Sequence, residues 1–232
     1  ATVTGVTIDA TTKLTTGTIT ADGATKLTIT GAGAVDINNA ALPATIINID
    51  GSASTGDIDV TTGNVADITA ATSAEITVKT GSGNDEISLA NIVTGDHISL
   101  DAGAGNDKVT VHTSMVGAST GVHGDVLEGG AGTDAILALS ATANGQGDVS
   151  SAGSITGFEE LTITDALGEN ITPGNYQTGI STVNLAAGSD AAATIAFGAG
   201  ASTVDLEAAL AGGTLTVSAS GSATSDSLTI NN

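Results

Sequence analysis

Three features of the sequence predict an all-β chain wound as a single continuous parallel β-solenoid (β-helix or β-roll). Aliphatic residues alternate with Thr or another polar residue from end to end, which is the period of a half-buried strand. Between these runs lie clusters rich in Gly, Ala, Asn, Asp and Ser that supply turns. Large aromatic side chains are nearly absent: Phe158, Tyr176 and Phe197 are the whole set. A sandwich core is about 10 Å thick and needs bulky side chains to fill it. The interior of a solenoid is thin, and its coils stack about 4.8 Å apart, so Val, Ile, Leu and Ala suffice. Only Pro43 and Pro173 lack a backbone donor, as expected where most N–H groups pair with a neighbouring coil. Roughly 20 residues per coil predicts about ten coils and a rod near 50 Å long.

In chain order, a Thr-rich N-terminal region over 1-79 contains the runs Lys26–Thr30 and Glu75–Lys79. A middle region over 80-137 carries repeated Gly-Asp corners and the run Lys108–His112. The C-terminal region over 138-232 holds Glu160–Thr164, Thr214–Ser218 and Ser227–Asn231. Each run puts its aliphatic residues on one face. The best helical candidate, Val204 to Ala211, is short and ends at Gly212-Gly213. The chain also reads as a possible module of a longer protein.

With 25 acidic residues against 4 basic ones, the net charge is −21, and Arg is absent. Nucleic acid and polybasic membrane binding both need Lys and Arg, so neither is expected. Cations are the favoured partners. Cys is also absent, which excludes disulfides and thiolate metal sites. No apolar stretch approaches the ~20 residues of a transmembrane segment. No charged and apolar leader follows Ala1, leaving a removed signal, another export route or a fragment as readings.

Three segments read G-x-G-x-D-x-U, with U aliphatic. They are Thr80-Gly81-Ser82-Gly83-Asn84-Asp85-Glu86-Ile87, Ala102-Gly103-Ala104-Gly105-Asn106-Asp107-Lys108-Val109 and Gly129-Gly130-Ala131-Gly132-Thr133-Asp134-Ala135-Ile136. This is the core of the calcium-binding nonapeptide of RTX β-rolls. Glycines permit positive φ and can turn carbonyl oxygens inward. The Asp adds a carboxylate, and calcium takes six or more such oxygens at about 2.3–2.6 Å. The expected calcium ligands are therefore Thr80, Ser82, Gly83 and Asp85, then Ala102, Ala104, Gly105 and Asp107, then Gly129, Ala131, Gly132 and Asp134. Their spacing suits one coil plus an insertion, so the motifs stack along one edge with an ion between each neighbouring pair, two in all. The competing reading is ordinary turn chemistry without a metal. Weaker Gly-Asp corners at Asp36, Asp57, Asp190 and Asp226 read as solvated, and Asp101 and Glu128 precede two good motifs with uncertain facing.

Other segments resemble a known family. Ile47–Gly56 (Ile-Asn-Ile-Asp-Gly-Ser-Ala-Ser-Thr-Gly) looks like the T-I-D-A-S-x-x-T-G signature of bacterial surface-layer proteins. Ile76–Asp85 resembles the T-V-T-G-G-S-G-N-D that follows there, Ile155–Thr164 the G-F-E-x-L-x-L segment, and Gly179–Gly188 the G-x-x-T-V-N-L-x-x-G segment. The resemblance covers scattered pieces of residues 40–232 and is to RTX-related, Caulobacter-type surface-layer (S-layer) proteins. It implies a secreted, extracellular structural protein that is exported unfolded by a type I system. It further implies calcium-triggered folding and self-assembly into a lattice at the cell surface. The chain is much shorter than whole S-layer proteins and has no recognisable domain for a cell-surface glycan or lipopolysaccharide.

The alternative reading is an RTX-type adhesin or extracellular filament module with a calcium-stiffened solenoid as spacer. An ice-binding Thr face suits the uneven motif spacing poorly, and a calcium module of a larger exported enzyme is a further reading. No catalytic activity is expected. A Ser-His-Asp set around His97 and Asp96 lacks a nucleophile elbow, and His112 with His123 offers zinc no third ligand.

Overall fold

The computed structural model describes residues 3–37, 42–63, 75–90, 97–111, 125–140, 143, 154–175, 179–219 and 227–231. The chain alternates between two long parallel sheets. One contains, in hydrogen-bonded order, β2 (Leu14–Thr15), β4 (Val35–Asp36), β6 (Ile58–Thr61), β8 (Glu86–Ser88), β10 (Lys108–Thr110), β12 (Ala135–Ala138), β14 (Glu160–Ile163), β15 (Thr182–Leu185), β17 (Ala201–Leu206) and β19 (Ser227–Asn231). The other contains β1 (Gly5–Asp9), β3 (Lys26–Gly31), β5 (Asn48–Ser54), β7 (Glu75–Lys79), β9 (His97–Asp101), β11 (Val126–Glu128) and β13 (Ser154–Thr156). A third sheet pairs β16 (Ala193–Phe197) with β18 (Leu215–Ala219). Pairing strand n with its counterpart one revolution later, always in parallel, is the topology of a β-solenoid.

Register, more than composition, shows how the core is made. In the ten-stranded sheet Val60, Ile87, Val109, Ile136, Leu161, Val183 and Val204 stand directly above one another. All seven are buried. Facing them, Leu27, Ile49, Val78, Leu100 and Leu127 form a second buried column. Stacking like side chains at the strand spacing gives each one close contacts above and below, which replaces the bulk of aromatic residues. The two aromatics described, Phe158 and Phe197, are both buried; Tyr176 lies outside the described residues.

No helix forms at the weak candidate Val204–Ala211, in keeping with the all-β expectation. Its first half belongs to β17, where Ser202 and Val204 face inward at a spacing of two. Val204 lies on Val183 of the preceding coil, and that register outweighs the weak helical preference of a short Ala-rich run. Coil length varies where the motifs lie: equivalent hydrogen-bonding positions are 22, 27 and 25 residues apart.

Candidate metal centre

The corner between the two sheets brings the three motifs into register, position by position. Lys79 pairs with Asp101 and Asp101 with Glu128, which aligns Thr80, Ala102 and Gly129 immediately after them. At the far side of the corner, Glu86, Lys108 and Ala135 pair, which aligns Asp85, Asp107 and Asp134 immediately before them. The predicted stacking along one edge is therefore present.

The glycines allow the coils to touch. A Cβ on Gly103 would stand 2.2 Å from the Gly81 carbonyl oxygen, and one on Gly130 2.0 Å from that of Gly103. A parallel column repeats this: a Cβ on Gly105 would meet the Gly83 oxygen at 1.9 Å, and one on Gly132 the Gly105 oxygen at 1.6 Å. Gly103, Gly105, Gly130 and Gly132 have positive φ, whereas Gly81 and Gly83 do not. Carbonyl groups here engage the next coil: the Gly81 oxygen accepts from the Ala104 N–H and that of Gly103 from the Ala131 N–H, both at 2.9 Å. The Ala131 oxygen accepts from the Gly105 N–H at 2.9 Å, and the Ala102 oxygen from the Thr80 hydroxyl at 2.7 Å. Ser82 is exposed and its N–H donates to the Ser54 oxygen.

Two hydrogen-bond ladders run through the corner in opposite senses. In the inner one, each later carboxylate accepts from the backbone N–H of the coil before it. Asp85 Oδ1 takes the Ile58 N–H at 2.7 Å, Asp107 Oδ1 that of Asp85 at 2.7 Å, and Asp134 Oδ1 that of Asp107 at 2.8 Å. Glu159 Oε2 continues the series by accepting from Asp134 N–H at 3.0 Å. In the outer ladder an earlier side chain accepts from a later N–H: Asp57 from Asn84, Asn84 from Asn106, and Asn106 from Thr133.

The inner carboxylates are buried, and only one oxygen of each is satisfied. Asp85, Asp107 and Asp134 are at most 1 % exposed, and the Oδ2 atoms of all three are buried without a hydrogen-bond partner. Such groups are costly to leave unpaired when ionised. Burial pushes all three pKa values up. For Asp107 the value reaches about 7, with the charges of Asp85, Asp134 and Asp57 adding to the effect of burial.

These donors fit calcium. They are hard oxygen ligands, anionic, repeated at the coil spacing and supplied with no compensating cation from the chain. Lys26 pairs with Asp50 at 2.9 Å and Lys79 stands 3.8 Å from Asp101, both on outer faces, while Lys13 and Lys108 are exposed. No three Asp, Glu or His side chains among the described residues form a metal-holding cluster. Stacked carboxylates are spread along the axis, so any one ion would meet at most a pair of them. Of the backbone carbonyls in the Thr80–Gly83, Ala102–Gly105 and Gly129–Gly132 stretches, those of Gly81, Ala102, Gly103 and Ala131 already accept from an adjoining coil, so they would offer an ion only a second lone pair.

The remaining predicted residues sort by position. Asp101 and Glu128 lie on the outer face of their sheet, opposite the buried Leu100 and Leu127, and so point away from the Asp column. Asp57 and Asp190 are exposed, and Asp36 is half-buried on β4. Asp96, His112, His123 and Asp226 lie outside the described residues; His97 is half-buried on β9. The residue that sequence reasoning missed is Glu159. Its signal was present: it stands one coil after Asp134 and directly before the strand Glu160–Ile163, as each Asp stands before its own.

Fold and corner together define the chain as a parallel β-solenoid with a stacked-carboxylate edge. No family model matches it, and neither the curated proteins nor the solved structures compared provide a match. Among the described residues no helix is long and apolar enough to cross a membrane.

Proposed function

We propose that this is a structural cell-surface protein that folds on calcium outside the cell and self-assembles into an S-layer lattice. The observation that carries the calcium part is the set of three buried Oδ2 atoms, one per coil, with no partner. Bound calcium would neutralise the stacked carboxylates and tie adjacent coils. Without a cation, Asp85, Asp107 and Asp134 repel one another inside a chain already at −21, which opposes compaction. Millimolar extracellular calcium suffices for sites with dissociation constants of ~10⁻⁴–10⁻³ M. Asp residues would hold the ions through Oδ2 while Oδ1 keeps the coil register.

Assembly is supported by the sequence resemblance and by the form of the rod. Leu228 and Ile230 on β19 are 42 % and 54 % exposed. Neighbouring exposed apolar side chains favour contact with a second copy.

One sample, titrated from chelator to a few millimolar calcium, tests both parts. Circular dichroism is expected to pass reversibly from coil to β while light scattering reports growing particles. Folding without growth would leave a calcium-stiffened adhesin or filament spacer, and no response to calcium would end the proposal. Within the series, Asp107→Ala touches both ions expected between the motifs and shifts the calcium midpoint further than Asp85→Ala, which touches one. Equal midpoints would overturn the stacked edge as the calcium site.

A further inference from the structure

We propose that the cation row continues one coil past the Gly-Asp motifs, with Glu159 and Asp134 bounding a third calcium interval. This rests on the reading of the Asp edge as a calcium site. Glu159 belongs to no G-x-G-x-D sequence, since Gly157-Phe158-Glu159 occupies its corner. Yet it stands to Asp134 as Asp134 stands to Asp107. The strands that follow are in register, Ala135 with Glu160 as Lys108 is with Ala135. The same bond links them, a carboxylate oxygen accepting from the N–H one coil earlier. The extra methylene of Glu lets the carboxylate reach that N–H from a corner built on a different loop.

A second observation concerns Asp134, which borders this interval as well as the one before it. Asp134 is fully buried, and its Oδ2 has no partner although the carboxylate of Glu159 lies in the adjacent coil. Glu159 is within electrostatic range, adding to the repulsion that Asp134 feels. The chain brings no cation to this place, because its four basic residues are the lysines placed above. At the other end of the row the position aligned with Asp85 is Ile58, which carries no charge, so the intervals number three.

The test is calcium bound per chain, measured by equilibrium dialysis against calcium chloride followed by elemental analysis. Glu159→Gln keeps an acceptor for the Asp134 N–H and removes the charge. It is expected to bind one ion fewer than the wild type, with an unchanged folded spectrum in calcium. Glu160→Gln, on the outer face, is expected to keep the wild-type number. Equal binding by Glu159→Gln and wild type would overturn the third interval and leave the motif sites standing. A wild type that binds no calcium would remove the underlying reading itself. Should Glu159→Gln fail to fold, a crystal of the wild type grown in calcium decides the matter. An ion within about 2.3–2.6 Å of both Asp134 and Glu159 oxygens supports the interval. A water or direct hydrogen bond there overturns it.

Discussion

Asp107 is flanked along the rod by two like charges, and its environment fixes the sign of its pH dependence. Its pKa rises from 3.8 to about 7 in the fold, chiefly through burial and then through Asp85 and Asp134. A raised carboxylate pKa means that the folded chain holds a proton the unfolded chain would release. The stability tied to that proton is full below about pH 4 and is lost as the pH climbs through 7. In chelator, β structure should therefore be held at pH 5 and lost by pH 8; millimolar calcium should abolish the loss. A β signal that grows with pH in chelator would contradict this account of the corner. Asp107→Asn keeps an acceptor for the Asp85 N–H but not the charge, so in chelator at pH 8 it should hold more β structure than wild type and gain less from calcium. Asp107→Ala lacks the acceptor too, and leaving that buried N–H unpaired costs about 1–3 kcal/mol. The three Asp positions were legible because Gly-x-Gly marks each corner. Glu159 was hidden because its corner, Gly157-Phe158-Glu159, has no such mark.

At the scale of the element, the glycine columns set how closely two coils approach. Gly132 has a φ of +151° and no room for a side chain, whereas Gly174 has nothing within 4 Å of where a Cβ would be. Gly132→Ala is expected to lose at least ~1–3 kcal/mol, the usual cost of a strained backbone position, with more from the clash. Gly174→Ala should stay within about 0.5 kcal/mol of wild type. Chemical denaturation of the two variants in calcium makes the comparison; equal losses would mean that coil contact at the corner is not limiting. Strands such as Lys26–Gly31 and Ser227–Asn231 were readable because Val, Ile or Leu alternates with Thr without interruption. Val204–Ala211 was not, since Leu-Glu-Ala-Ala-Leu suits a helix locally and only the stacking of Val204 on Val183 reveals a strand. A single sequence shows the period of a strand but not the coil beneath it.

For the whole molecule, net charge and exposed apolar side chains pull in opposite directions. A charge of −21 keeps copies apart, while the exposed Leu228 and Ile230 on β19 invite them together. Replacing both with Lys should leave the calcium-induced β spectrum intact and suppress the growth of large particles. Unaltered growth would place the assembling surface elsewhere on the rod. The paired ladders at the corner also bear on how such an irregular chain finds one alignment. Slipping a coil by one residue would bring Glu86, Lys108 or Ala135 to the inner position and leave the N–H of the coil below without its carboxylate. The opposed ladder of Asp57, Asn84 and Asn106 would lose its partners in the same slip. Each revolution between Asp57 and Thr133 is thus proofread at a single checkpoint, read in both directions, whatever length of chain was spent in between. Insertions elsewhere in a coil pass unnoticed, and an error at the corner is detected at once.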